Sequence, residues 1–229
     1  MENYGDYTYN AQNSLKRFAH RRRFNKSIAC IPTSDDIRLL DFGCGDGLFL
    51  NRLKTCLHGK GFLIGYDPIM PPMYGNTVNI TASWEEVAKE MPFDYVTCFE
   101  VLEHFDETMQ IETLKKISQL LADEGFVIVS VPIEKGFPSL VKNVIRKFSC
   151  SKSDRHLYSI KNIVAVFFKK KFSKYRKSSS YLSHIGFYHT DLEKVFRNDF
   201  VIVEKSFSPF PLLGSQLNSQ VFYHLKKII

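Results

Sequence analysis

The chain has 229 residues, 44% of them apolar and 14% aromatic, with a formal net charge of +7. It is long enough to bury a full core and too apolar to be a disordered chain. Five cysteines (Cys30, Cys44, Cys56, Cys98 and Cys150) form no C-x-x-C pair, so neither a zinc site nor a disulfide framework is readable. No signal peptide or long apolar span is apparent, and the expected setting is the reducing cytoplasm. The moderate positive charge admits nucleic acid, an anionic membrane surface or an anionic small substrate, and selects none of them.

One domain is expected over residues 1–229, with two appendages. The first covers residues 1–36. Tyr4, Tyr7 and Tyr9 stand among small polar residues and read as a flap. Asn13 is an expected N-cap for a helix from Ser14 to Ile28. Lys16, Arg17, Arg21, Arg22, Arg23 and Lys26 make that helix basic. It is either a solvated cationic helix packed on the domain or a contact for an anion or a membrane surface.

Arg38-Leu-Leu-Asp41-Phe-Gly43-Cys44-Gly45-Asp46-Gly47-Leu-Phe-Leu50 organises the rest of the chain. Its first half is a short apolar run, which fits a buried strand. Three alternating glycines come next, and Leu50, Leu53 and Leu57 then resume at helical spacing. Strand, glycine loop and helix form the opening unit of a doubly wound α/β sheet, with a loop that lets a ligand approach the backbone. A second apolar strand, Gly61 to Tyr66, ends at Asp67-Pro68. A carboxylate there is placed to grip a ribose diol. A dinucleotide site would require G-x-G-x-x-G. Here the spacing is G-x-G-x-G, and Asp41 precedes the first glycine by two residues. A carboxylate at that point repels a pyrophosphate and suits a cation, which favours S-adenosyl-L-methionine, a carrier of ammonium and sulfonium charges.

Thr77 to Ile80 is an expected third strand, and Ser83 an expected cap for a short helix through Lys89. Phe93 to Phe99 is a fourth strand, followed by Glu100-Val-Leu-Glu103-His104. A helix is expected over 107–121, then a turn at Ala122-Asp-Glu-Gly125 and a fifth strand from Gly125 to Val131. Residues 133–183 form the second appendage, a basic amphipathic lid. Phe137, Leu140, Val141, Val144, Ile145 and Phe148 mark one helix face, and a second helix is expected near 158–172. Thirteen Lys or Arg and one Asp lie between Lys135 and Lys177. The lid packs on the sheet with its lysines in water, or meets a membrane surface or a lipid-linked, phosphate-bearing substrate, or binds RNA. No known RNA-binding motif is readable, so nucleic acid is not the expected partner. Thr190-Asp-Leu-Glu193 reads as a capping box for a helix from Asp191. Two closing strands, Phe200 to Lys205 and Gln220 to Leu225, complete a mainly parallel seven-stranded sheet whose last strand is antiparallel.

Asp41 to Gly47 resembles motif I of the class I S-adenosylmethionine-dependent methyltransferases. Val96-Thr-Cys-Phe-Glu-Val-Leu-Glu-His104 is similar to the motif IV region of small-molecule methyltransferases, notably the ubiquinone-biosynthesis O-methyltransferase group. The resemblance covers residues 37–132. At the third strand it departs from the pattern, because Thr81-Ala82-Ser83 replaces an acidic residue that many relatives use near adenine. The resemblance implies a Rossmann-like fold and cofactor contacts from Asp41, Gly43, Cys44, Gly45, Asp67, Pro68 and Phe99. It also puts Glu100 and His104 at the lip of the acceptor pocket. The tail and basic insert are similar to methyltransferases linked to bacterial surface-polysaccharide synthesis.

The expected activity is therefore methyl transfer to a small or lipid-linked acceptor, with O-methylation of a saccharide or lipid-linked hydroxyl as the specific form. His104 and His184 are the candidate bases, since an imidazole titrates near neutrality. Glu100, Glu103 and His104 are residue types that bind a divalent ion, but no metal is expected. The alternatives are an RNA methyltransferase and a cofactor-binding subunit without activity. An Asn/Asp-Pro-Pro-Tyr motif is absent after the fourth strand, which argues against base N-methylation by that route.

Overall fold

The computed structural model describes residues 14–32, 36–69, 78–133 and 187–228; for residues 14–20 and 216 it describes the backbone only. Helix α1 (Ser14–Ala29) precedes strand β1 (Arg38–Phe42), α2 (Leu48–Cys56) and β2 (Phe62–Tyr66). Strand β3 (Asn79–Thr81), α3 (Trp84–Lys89) and β4 (Phe93–Phe99) follow. A 3₁₀ turn (Leu102–His104) leads into α4 (Glu107–Leu120) and β5 (Leu121–Pro132). The C-terminal part comprises α5 (His189–Phe196), β6 (Phe200–Ser208), a 3₁₀ turn (Pro211–Leu213), the short α6 (Gly214–Leu217) and β7 (Gln220–Lys227).

The strands form one seven-stranded sheet in the order β3-β2-β1-β4-β5-β7-β6. Strands β1 to β5 pair in parallel, and β7 runs antiparallel to both β5 and β6. The expected architecture, with its antiparallel last strand, is the one observed. Period-two alternation sends Leu40, Phe42, Val96, Val127 and Val129 to one face, where they meet Val87, Leu114, Ile117, Leu192 and Phe196 of α3, α4 and α5. Leu39, Leu63 and Ile128 point the other way, onto Leu50 and Leu53 of α2, with Phe24 and Ile28 of α1 beside them. Both faces are covered, and so β1 and β5 read as apolar runs without polar alternation. Sheet order reverses between β1 and β4, which opens a crevice at the carboxyl ends of those two strands.

Helix α1 and strands β1, β2 and β4 match the expected segments closely. Three details differ. Strand β3 begins at Asn79 and ends at Thr81, because its register with β2 (Ile64 with Asn79, Tyr66 with Thr81) carries the pairing one residue further. The expected turn at 122–125 is a bulge inside β5: Phe93 pairs with Leu121 and Tyr95 already with Phe126. Gly125 permits this, since a Cβ there would lie 3.0 Å from the carbonyl oxygens of Ala122 and Phe93. Helix α5 starts at His189, with Tyr188 as its uncapped N-cap, rather than from a Thr190 capping box. Glu193 is drawn away from that role by the Tyr223 hydroxyl at 2.7 Å and Lys205 Nζ at 2.6 Å. His189 is buried at the helix entry, the structural role its position suggested.

The flap tyrosines, both expected lid helices and His184 lie outside the described residues. No helix among those described is long and apolar enough to cross a membrane.

Candidate functional site

The crevice is built outward from β1. Its penultimate residue, Asp41, is 3% exposed, and its Oδ1 accepts the Thr97 hydroxyl of β4 at 2.7 Å. Burial pushes the Asp41 carboxyl up to about 7; the Thr97 hydrogen bond opposes this and the nearby charge of Asp67 adds to it. The strand then enters a loop in which Gly43, Gly45 and Gly47 all have left-handed φ, at 77°, 54° and 73°. Only glycine takes that sequence of angles without strain. The loop is anchored on β2, where the Tyr66 carbonyl accepts from Gly43 N at 2.8 Å and Cys44 N at 3.3 Å.

The three glycines do different work. A side chain at Gly43 would run into Val101, and a Cβ at Gly47 would stand 2.5 Å from Ile80 Cδ1. A Cβ at Gly45 would meet no atom of the described residues within 4 Å. Gly43 and Gly47 are therefore packing glycines, and Gly45 is the one that faces open space. Its amide donates to Asp67 Oδ2 at 3.0 Å, while Asp67 Oδ1 accepts from Ile69 N at 3.0 Å. The glycine loop and the carboxylate that ends β2 are thus brought together. Cys44 turns its thiol inward against Gly65, and burial raises its pKa well above the usual thiol value. Its side chain is inert packing, and only its backbone faces the loop. Pro68 is exposed beside Asp67.

Across the crevice, Phe99 ends β4 with its ring edge-on to Phe49 at 5.0 Å and to Phe222 at 6.2 Å. The next residue, Glu100, has φ of 59°, a left-handed conformation that costs free energy in a residue with a side chain. It is held there from three sides. Its amide donates to the Ser130 carbonyl at 2.9 Å, Gln220 Nε2 donates to its Oε1, and Arg23 Nη1 of α1 pairs with its Oε2 at 3.1 Å. His104 closes the following 3₁₀ turn at the surface, and partial desolvation lowers its pKa below the ordinary imidazole value. Glu103 is buried, on the side of Cys98. Among the described residues no group of three or more His, Cys, Asp or Glu is arranged to hold a metal ion. Glu100, Glu103 and His104 diverge into three different surroundings.

A family model described as a methyltransferase domain matches residues 7–197. The chain belongs to that methyltransferase family. Several solved structures share the fold of this methyltransferase. A TehB-like SAM-dependent methyltransferase from Corynebacterium glutamicum is 15% identical, with a TM-score of 0.53 over 90% of this chain and 86% of that one. The magnesium protoporphyrin IX methyltransferase of Synechocystis, solved with bound S-adenosylhomocysteine, is 13% identical, with a TM-score of 0.55 over 93% and 87%. The plantazolicin methyltransferase BpumL, in complex with a desmethylplantazolicin analogue and S-adenosylhomocysteine, is 16% identical, with a TM-score of 0.56 over 98% and 89%. No curated protein matches the chain in sequence.

The cofactor of this methyltransferase is S-adenosyl-L-methionine, and the residues present fit it. The space above Gly45 is a cradle that a single Cβ would invade. Asp67 offers a carboxylate at the edge of that space, and Asp41 offers a buried carboxyl whose ionised form a cationic ligand would favour. Two residues of the methyltransferase site escaped sequence reasoning. Arg23 lies 77 positions from Glu100, and nothing local marks it as its partner. Glu86 meets the Thr81 hydroxyl at 2.5 Å and so brings a carboxylate to the end of β3, where the sequence shows Thr81 in place of an acid. A search for acids one helical turn beyond the strand end would have found it.

Proposed function

We propose that this methyltransferase moves a methyl group from S-adenosylmethionine to a hydroxyl of a small-molecule acceptor, a saccharide or a lipid-linked molecule, in the cytoplasm. The observation that carries this reading is the polar lip at the end of β4. Glu100, fixed by Arg23 and Gln220, offers a carboxylate that accepts hydrogen bonds from hydroxyls. His104 follows on the next turn, with a lowered pKa that keeps its imidazole neutral near pH 7. The cytoplasmic setting is supported by Cys30, Cys44, Cys56 and Cys98, all free thiols.

When bound, the cofactor supplies an electrophilic methyl group on a positively charged sulfur that departs as a neutral thioether. The protein's task is then positioning and the exclusion of water. Asp67 holds the ribose hydroxyls, and the Gly45 backbone lets the ligand lie close to the loop. Phe49 and Phe99 wall the crevice on the side of α2. Glu100 orients the acceptor, and His104 takes the proton released as the acceptor oxygen is methylated. His184, the second candidate base, stands as an alternative for that proton.

The test is methyl transfer from S-adenosylmethionine to a panel of sugars, glycolipids and quinone precursors, with structured RNA as a parallel arm. A product carrying one added methyl as an ether supports the reading. Methylation of nitrogen, or of RNA with activity that falls steeply with salt, would replace it.

A further inference from the structure

The connection between β6 and β7 is the apolar feature of the molecule that the reaction does not use. No Asp, Glu, Lys or Arg occurs between Lys205 and Lys226. Within that run Phe210, Leu213 and Leu217 are about half exposed (47%, 50% and 50%), and Leu212 is 98% exposed. A single exposed leucine needs no explanation, but four large apolar side chains on one short turn form a patch.

The turn is built to present them. Asn218 is fully buried and spends its side chain on the turn itself. Its Oδ1 accepts from Phe210 N at 2.6 Å, and its Nδ2 donates to the carbonyls of Phe210 and Gly214, each at 2.7 Å. Leu213 N donates to the Phe210 carbonyl at 3.0 Å, and Ser219 N to the Ser208 carbonyl at 3.0 Å. A turn braced from within by a buried amide does not collapse to hide its leucines. It holds them out at the carboxyl edge of the sheet, the edge where the crevice opens.

Positive charge flanks the patch. Gln220, two residues after Asn218, bonds Glu100, and Glu100 pairs with Arg23 of α1. Arg21 is exposed on the same helix, whose sequence also carries Lys16 and Arg17 further towards its N-terminus. Strand β5 ends at this edge as well, where Ile133 N donates to the Ser219 carbonyl at 2.9 Å. An apolar projection beside basic groups matches an anionic lipid surface: the leucines enter the acyl boundary and the arginines meet the headgroups. The cations favour lipid headgroups over a purely apolar partner, and the leucines favour lipid over RNA.

We infer that the β6–β7 turn is a membrane-interface wedge that seats the carboxyl edge of the sheet on an anionic bilayer. This goes beyond the proposed acceptor chemistry and holds whether or not the acceptor is lipid-linked. The turn supplies apolar contact and α1 supplies charge, so the crevice mouth faces the lipid.

The experiment is flotation of the full chain with vesicles of phosphatidylcholine, alone or mixed with phosphatidylglycerol, without turnover. The wild type should bind the mixed vesicles and not the neutral ones. Leu212→Glu/Leu213→Glu should weaken that binding by about tenfold or more, with S-adenosylhomocysteine affinity unchanged. Leu212→Ser, a milder change at the most exposed position, should give a smaller loss in the same direction. Absence of binding by the wild type overturns the inference, and so does full binding by the double variant, since cations alone would then suffice. A shift from dimer to monomer in the double variant would make the patch an interface between copies. A fall of its melting temperature by several degrees would make the patch a seat for another part of this chain. Either result also overturns it.

Discussion

Replacing Gly45 with alanine should remove cofactor affinity while leaving the protein folded. The fold cost is bounded by the geometry. Gly45 has φ of 54°, and a left-handed alanine is worse than glycine by about 1–2 kcal/mol. The added Cβ meets no atom of the described residues within 4 Å, so no packing penalty from them joins it. For a chain of this size that corresponds to a melting temperature lower by about 2–8 °C. The ligand cost is different in kind. Gly43 N and Cys44 N are tied to the Tyr66 carbonyl, so the loop cannot withdraw from a ligand pressed against the new methyl group. A loss of at least about 1.4 kcal/mol, or tenfold in Kd, is expected for S-adenosylhomocysteine in calorimetric titration. Gly65→Ala is the matched control. Its Cβ would lie 2.6 Å from Cys44 Sγ and 3.0 Å from Leu50 Cδ1, inside the core, where overpacking costs about 1–3 kcal/mol. Its main effect should be on the melting temperature. Wild-type affinity in a folded Gly45→Ala protein would refute the reasoning, because the ligand would then not pass over this loop.

Asp67→Ala should weaken S-adenosylhomocysteine binding by about tenfold to a hundredfold, as charge-assisted hydrogen bonds contribute about 1.5–3 kcal/mol; unchanged affinity would move the ribose elsewhere. Asp41 has a folded pKa raised to about 7, so the fold favours its neutral form. The wild type is therefore penalised progressively as pH rises from the usual carboxylate range, near 4, through about 7. Asp41→Asn, permanently neutral, should gain on the wild type by about 2–3 kcal/mol between pH 5 and pH 8; a constant difference in melting temperature would contradict the burial argument. Binding of a cationic ligand near Asp41 should release a proton below pH 7, readable as a dependence of binding heat on buffer ionisation enthalpy. His104→Ala should lower turnover about a hundredfold with cofactor affinity intact, and His184→Ala is the parallel test; whichever variant keeps full activity leaves the mechanism.

The glycine loop and the strand end at Asp67 were legible because they are local. Asp41 to Gly47 is one unbroken stretch, and Asp67 follows it at the end of the very next strand. Alternating glycines announce left-handed backbone directly, and a carboxylate after an apolar run announces a strand end. The same locality explains the strands: β4 is a mostly β-branched and aromatic segment, interrupted by Asp94 and bounded by Pro92 and Glu100. What misled was local pattern overruled by distant partners. The Thr190 to Glu193 capping box is sound in isolation, yet Glu193 answers to Tyr223 and Lys205 instead. The Ala122 to Gly125 turn is sound too, but pairing with β4 absorbs it as a bulge.

The acceptor half is assembled from the far ends of the chain. Glu100 depends on Arg23 from α1 and Gln220 from β7, and the exposed turn beside it belongs to the β6–β7 connection. No spacing rule links positions 77 and 120 residues apart, so nothing in the sequence could have paired them. The division has a physical consequence. The contacts proposed for the cofactor lie on β1, β2 and the loop between β1 and α2, where Gly43, Gly47 and Gly65 are locked by close packing. The lip proposed for the acceptor lies on α1, the end of β4 and the start of β7, where Glu100 is fixed by partners from both ends of the chain. Changes at Arg23 or His104 should therefore alter acceptor use while S-adenosylhomocysteine affinity stays at the wild-type value in calorimetric titration.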